Sequence, residues 1–174
     1  MAFKAAGTFD PHGAPVLVAR ILANSITVTE LDSVKMASGF VALGTTGASV
    51  LGHIVGIRTN KGVGLDTTGA AGAETGSFVG TFATASDNQT VGMVRGNIDI
   101  SKLTIYSAEQ DAAIGTTTGS NLAGYYEDIA DEDTLDESTA ATTTGQYATH
   151  GVDPNNSAQA LVTVFESSVF GPLS

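Results

Sequence analysis

Cysteine and tryptophan are both absent from this 174-residue chain. Without cysteine there is no disulfide, no thiolate zinc site and no thiol nucleophile. A domain of this length can build a full core without such staples, so the absence implies little about compartment. Aromatic residues are scarce at 6%, and charged residues make up only 14%, against about a quarter in an average globular protein. No uninterrupted apolar run approaches the roughly eighteen residues of a membrane-spanning helix. The N-terminal stretch MAFKAAGTFDPHGAP also lacks the apolar segment of a signal or transit peptide. The reading is therefore of a protein made in a cytosol and used there, or carried from it in an assembly, with no membrane partner.

Basic residues are missing from the whole C-terminal part. Lys102 is the last of seven bases, and the chain up to it also holds seven acids. Leu103 to Ser174 carries eleven acids and no Lys or Arg, and seven of the eleven lie between Glu127 and Glu137. The net charge of −11 disfavours nucleic acid and anionic lipid as partners, and the few bases are spread singly rather than gathered into a stripe. Such a balance suits a protein kept dispersed at high copy number that meets another protein.

What replaces the missing charge is Gly, Ala, Thr and Ser, residues of turns and strands rather than of solvated helices. Residues 1–15 hold Pro11, Pro15, Gly7 and Gly13 around Phe3 and Phe9 with no period. They read as an extended N-terminal arm, either disordered or docked on a neighbour through its phenylalanines. Strands follow at 16–21 and around Ile26–Val28, then at 34–36, 40–43 and 50–58, with turns at Ser38-Gly39 and Thr46-Gly47 between them. Turn signals every eight to ten residues point to an antiparallel barrel or sandwich. Residues 61–76, with five glycines, read as a long loop or flap. Further strands are expected at 77–84, at 91–100 with a bulge at Gly96, and at 160–166, with a turn at Asp87-Asn88. SAEQDAAI (107–114) reads as a short helix capped by Ser107, and residues 125–138 as an acidic loop. The fold class is thus mainly β: an antiparallel barrel or sandwich with long Gly-rich loops. Its organisation is an arm (1–15) followed by a single β-rich domain (16–174).

The chemistry-bearing residues form no catalytic set. The acidic run lacks the central glycine and regular spacing of a calcium loop, and reads as a solvated loop or a patch for a basic partner. His150 and Asp153 sit in HGVDPNNS, where Asp-Pro-Asn-Asn is a turn sequence in its own right. His53, inside LGHIVGI, reads as a core or edge histidine with its bonds satisfied. His12 has no nucleophile beside it. The glycine stretches match neither a Walker loop nor GxGxxG. No catalytic, cofactor-binding or metal-binding residue is assigned, and no cofactor is expected.

Three stretches, LDSVKMASGFVALGTTGASVLGHIVGI (31–57), SDNQTVGMVRGNIDISKLTIYSA (86–108) and QYATHGVDPNNSAQALVTVFESSVFG (146–171), resemble head decoration, or capsid cement, proteins of tailed bacteriophages. They cover nearly half of the chain in order. The resemblance implies a non-enzymatic virion protein on the outer capsid surface, assembled in the host cytoplasm. Its partner there is the major capsid protein, whose neighbouring subunits it clamps. It also implies self-association, with a homotrimer the commonest arrangement in such groups. No site residue is carried over from it. The arm residues Phe3, Lys4 and Phe9, and Leu65 and Asp66 in the flap, are the expected partner contacts. A tail-tube or head-fibre subunit, or a calcium- or carbohydrate-binding β module, is the alternative.

Overall fold

A computed structural model describes residues 3–11, 13, 15–58, 81–84, 94–115 and 122–165. Its thirteen strands are β1 (Phe3–Thr8), β2 (Leu17–Ile21), β3 (Thr27–Thr29), β4 (Ser33–Ala37), β5 (Phe40–Leu43), β6 (Gly52–Arg58), β7 (Thr81–Ala83), β8 (Arg95–Asp99), β9 (Thr104–Gln110), β10 (Tyr126–Ile129), β11 (Thr134–Ala141), β12 (Tyr147–Asp153) and β13 (Asn156–Val164). Among the described residues there is no helix.

Five of these strands close a barrel in the order β9-β11-β10-β12-β13, because β13 pairs back onto β9. Closure leaves no open edge on those strands except where one outruns its neighbour. Four of the five seams are antiparallel. The β9–β11 seam is parallel and short, with Thr134 opposite Glu109 and Leu135 opposite Gln110. The rest of that edge of β9 is taken by β1, from Phe3 opposite Ala108 to Thr8 opposite Thr104. Inward residues alternate as the pleat requires. Ile129, Leu135, Tyr106, Ala108, Ala160 and Val162 fill the barrel.

The second sheet runs β2-β8-β6-β4-β5. It curls until Leu22, just past β2, bridges Val41 of β5 in parallel, with Ala23 N donating to Val41 O at 2.8 Å. Leu22, Val34, Val41, Ile54 and Ile98 are fully buried within it. The β4–β5 hairpin is closed by Ser38 and Gly39, both at positive φ (49° and 87°). That two-residue geometry follows the right-handed twist of the strands. Hydrogen bonds to backbone oxygens join the two bodies: Ser33 N donates to Glu132 O at 2.7 Å, and the Gln146 side-chain Nε2 donates to Thr45 O at 3.0 Å and also to Ala48 O.

The structure corrects several sequence expectations. Residues 107–110 are the end of β9 and not a helix. Their backbone groups pair on both sides, with β13 on one edge and β1 and β11 on the other, and this tertiary pairing outweighs the local helix signal. The acidic run 125–138 is not a loop but most of the β10–β11 hairpin, with Ile129 and Leu135 as its core face. The bulge near Gly96 lies on the opposing strand, between Ile54 and Gly56. Gly96 is small for another reason: a Cβ there would stand 2.9 Å from Ile54 Cδ1 and 3.0 Å from Leu22 Cδ2. Within the expected arm, residues 3–8 are a barrel-edge strand. The flap 61–76, with Leu65 and Asp66, and the Asp87-Asn88 turn lie outside the described residues.

Candidate functional site

Where the two bodies meet, polar side chains form a sealed network. His53 on β6 is fully buried. Its Nδ1 lies 2.8 Å from Leu31 O and its Nε2 3.0 Å from the Tyr147 hydroxyl. A carbonyl only accepts, so Nδ1 carries the proton, Nε2 accepts, and the Tyr147 hydroxyl donates to it. Ser33 Oγ, 3.0 Å from that hydroxyl, then has Tyr147 as its acceptor. Burial holds the His53 ring well below its ordinary value, at about 4, although the Leu31 bond and the nearby Asp99 favour its charged form. The same burial raises the Tyr147 hydroxyl. Phe3 packs on this group, with ring centroids 4.6 Å from His53 and 5.5 Å from Tyr147.

Beside it, Asp99 is the shared acceptor of Tyr106 OH (2.9 Å), Thr104 Oγ1 (2.7 Å) and Ser101 N (2.8 Å). Burial and then the Asp99 charge push the Tyr106 hydroxyl up. Catalysis requires a base within reach of both a nucleophile and a substrate. Here the His, Ser and Tyr groups are buried and bonded to one another, and Asp99 is taken up by three donors, so the network holds the two bodies together. His53 is the satisfied core histidine that its apolar strand implied.

The remaining candidates make local bonds. Asp153 closes its turn by accepting Asn155 N at 2.8 Å, and it takes the Ser107 hydroxyl. Those bonds hold its carboxyl below the usual range. His150 meets Thr163 Oγ1 at 3.1 Å and the edge of Phe9 at 5.1 Å between centroids. Among the described residues no three acidic or histidine side chains converge on a possible metal position. Nor is any helix there long and apolar enough to cross a membrane.

An open surface feature remains. The exposed large hydrophobics among the described residues are Phe9, Val16, Leu17, Leu103 and Phe165. All five are tied to one short segment, the β8–β9 connection at 99–103. Phe9 N donates to Leu103 O (2.8 Å), Val16 O accepts from Ile100 N (2.9 Å), Leu17 pairs with Asp99, and Phe165 O accepts from Lys102 Nζ (3.0 Å). Phe165 also packs on Tyr126 at 4.4 Å. The backbones of all five thus converge on one short segment, and exposed apolar residues grouped in this way mark an interaction site where single ones do not. Alongside it opens a groove of about 360 Å³ lined by Gly7, Pro15, Leu17, Leu31 and Val55, with Asp99, Thr104 and Tyr106 also contributing to its wall. The segments building this end (3–21 and 95–104) carry Lys4, Arg20, Arg95 and Lys102 against Asp10 and the buried Asp99. Those segments carry no excess of negative charge.

Of the expected contacts, Phe9 belongs to this apolar end, with just over half of its surface open. Lys4 is exposed on β1, opposite Ser107. Phe3 is corrected: its ring is a core residue of this chain, 1% exposed, because β1 folds back onto β9. Val16, Leu17, Leu103 and Phe165 were not foreseen. Val16-Leu17, Leu103 and Phe165 lie far apart in sequence, and only the sheet order brings their backbones to one segment. No known protein family, curated protein or solved structure matches this chain.

Proposed function

We propose that this chain is a structural virion protein that binds the outside of a phage capsid and stabilises contacts between major capsid subunits. The observation that carries the reading is the gathering of five exposed apolar side chains around the 99–103 connection, beside segments 3–21 and 95–104, whose described residues carry four bases against two acids. A clamp needs such a surface and no reactive centre. Its polar groups are consumed in holding two β bodies together, which suits a rigid part under load. The acidic hairpin is kept for solvent or a basic capsid loop. A lattice of modest interfaces of this kind sums to lasting attachment through multivalency. Self-association, as a homotrimer, belongs to the same proposal.

The test is co-sedimentation of the purified protein with expanded heads of the source phage, beside a Phe9→Ser/Leu103→Ser variant. Both side chains are exposed, so circular dichroism should be unchanged. Saturable binding at a fixed ratio to the major capsid subunit, lost in the variant, is the expected result. Unchanged binding by the variant removes the apolar end from the interface. Absence of binding by the unaltered protein, with polymerisation into rings or tubes, assigns it to the tail instead.

A further inference from the structure

One end of the barrel interior is polar, and its hydrogen bonds do not close. Gln110 on β9 and Glu127 on β10 both face inward, on the same faces of their strands as Ala108 and Ile129. Glu127 is fully buried and Gln110 nearly so. Gln110 Nε2 donates to Glu127 Oε2 at 2.9 Å. The second oxygen of each side chain, Gln110 Oε1 and Glu127 Oε1, is buried with no partner. An ionised carboxylate and an amide oxygen are both acceptors, so neither can satisfy the other. Leaving both bare in the interior costs the desolvation of two polar atoms. A single proton on Glu127 removes the conflict, because the acid then donates to the amide oxygen while accepting from the amide nitrogen.

We infer that Glu127 and Gln110 form a proton-held latch: a carboxylic acid bonded twice to an amide, fastened when Glu127 is protonated and loosened when it ionises. The surroundings favour the proton. The charged groups acting on Glu127 are Glu137 and Asp136 on β11 and Asp111 just beyond β9, all acidic. Its register partner on β12, Tyr147, stays neutral. Burial first, and those charges second, push the Glu127 carboxyl up to about 7 against the opposing pull of the Gln110 bond. A group whose pKa is raised on folding stabilises the fold at low pH, and that contribution is lost as the pH rises through the folded value.

The latch also sits where the barrel is thinnest. Gln110 is in the last pair of the parallel seam, opposite Leu135, and the seam continues only through Asp111 N to Leu135 O at 2.9 Å. Glu137 N is held by Asp111 Oδ1 at 3.0 Å on the same seam. A groove of about 400 Å³ lined by Gln110, Asp111 and Ile114 reaches this end from outside, giving protons a route. The inference does not depend on what the apolar end binds.

The experiment is a carbon-13 NMR titration of the Glu127 carboxyl in the intact protein. It is paired with hydrogen exchange of the Asp111 and Glu137 amides from pH 4.5 to 9, corrected for intrinsic exchange. The expected midpoint is near neutrality, with the seam-opening equilibrium rising by up to about tenfold per pH unit below it and levelling off above it. Glu127→Gln, which restores both bonds as an amide pair, should abolish that rise. A carboxyl titrating near its ordinary 4.5, or seam opening independent of pH, overturns the latch. Saturable closure of the seam by calcium at about pH 8.5 overturns it too, since the two oxygens would then be holding a cation.

Discussion

Tyr147→Phe tests the network that joins the two bodies. The ring volume is kept, so no cavity opens, and only the hydroxyl is lost. Two buried groups then lose their partner: His53 Nε2 its donor and Ser33 Oγ–H its acceptor. Both residues are fully buried, so water cannot replace the hydroxyl without rearrangement. Each unsatisfied group costs about 1–3 kcal/mol, giving a loss of about 2–6 kcal/mol. For a chain of this length, 1 kcal/mol moves the melting temperature by about 2–4 °C, so calorimetry should show a fall of about 4–24 °C. Ser33→Ala alone should cost less, because Tyr147 keeps its bond to His53. The double variant should then be less damaged than the sum of the two, by at least about 0.5 kcal/mol, since Ser33 no longer loses an acceptor. A fall under about 2 °C, or strict additivity, would show that the three side chains do not act as one network.

Two further outcomes follow from burial and close approach. Burial, with Glu132 and Asp133 nearby, pushes Asp32 up to about 7, so its contribution is present at low pH and fades as the pH rises through that value. Asp32→Asn, which keeps an oxygen for Thr29 N, should melt higher than the parent at pH 8 and keep less than about half of that advantage at pH 5. His53 works in the opposite sense, its neutral form contributing above 6.5 and lost as the pH falls towards about 4. The same melting difference between parent and Asp32→Asn at both pH values would contradict the assignment. Gly52→Ala should cost more than about 3 kcal/mol or prevent folding, since its Cβ would stand 2.0 Å from the backbone oxygen of Asp99. At Gly56 the nearest atom to such a Cβ is a side-chain nitrogen of Asn97 at 3.4 Å, so alanine there should change stability by less than about 1 kcal/mol in urea unfolding.

β4, β5, β6 and the second half of β13 were legible because alternation and turn chemistry are local. Ser38-Gly39 specifies its hairpin by backbone preference alone. The same local logic failed at 107–114, where Ala, Glu and Gln favour a helix but pairing on both edges draws the segment into the barrel. It failed again at the acidic run. Charge density suggested a solvated loop, yet Leu135, Glu137, Glu127 and Ile129 alternate inward, a period that the acids between them obscured.

Composition and patterning by themselves determined a β protein with no thiol chemistry, an acidic C-terminal half and a His53 set in an apolar strand. They act residue by residue, through side-chain volume, charge and a period of two. Only the tertiary structure decided that the strands close into a barrel, that Phe3 is core rather than contact, and that Phe9, Leu103 and Phe165 share one surface. It alone placed Gln110 against Glu127. Each of these depends on which distant strands become neighbours, and that is set by burying all the apolar faces at once rather than by any one segment's preference.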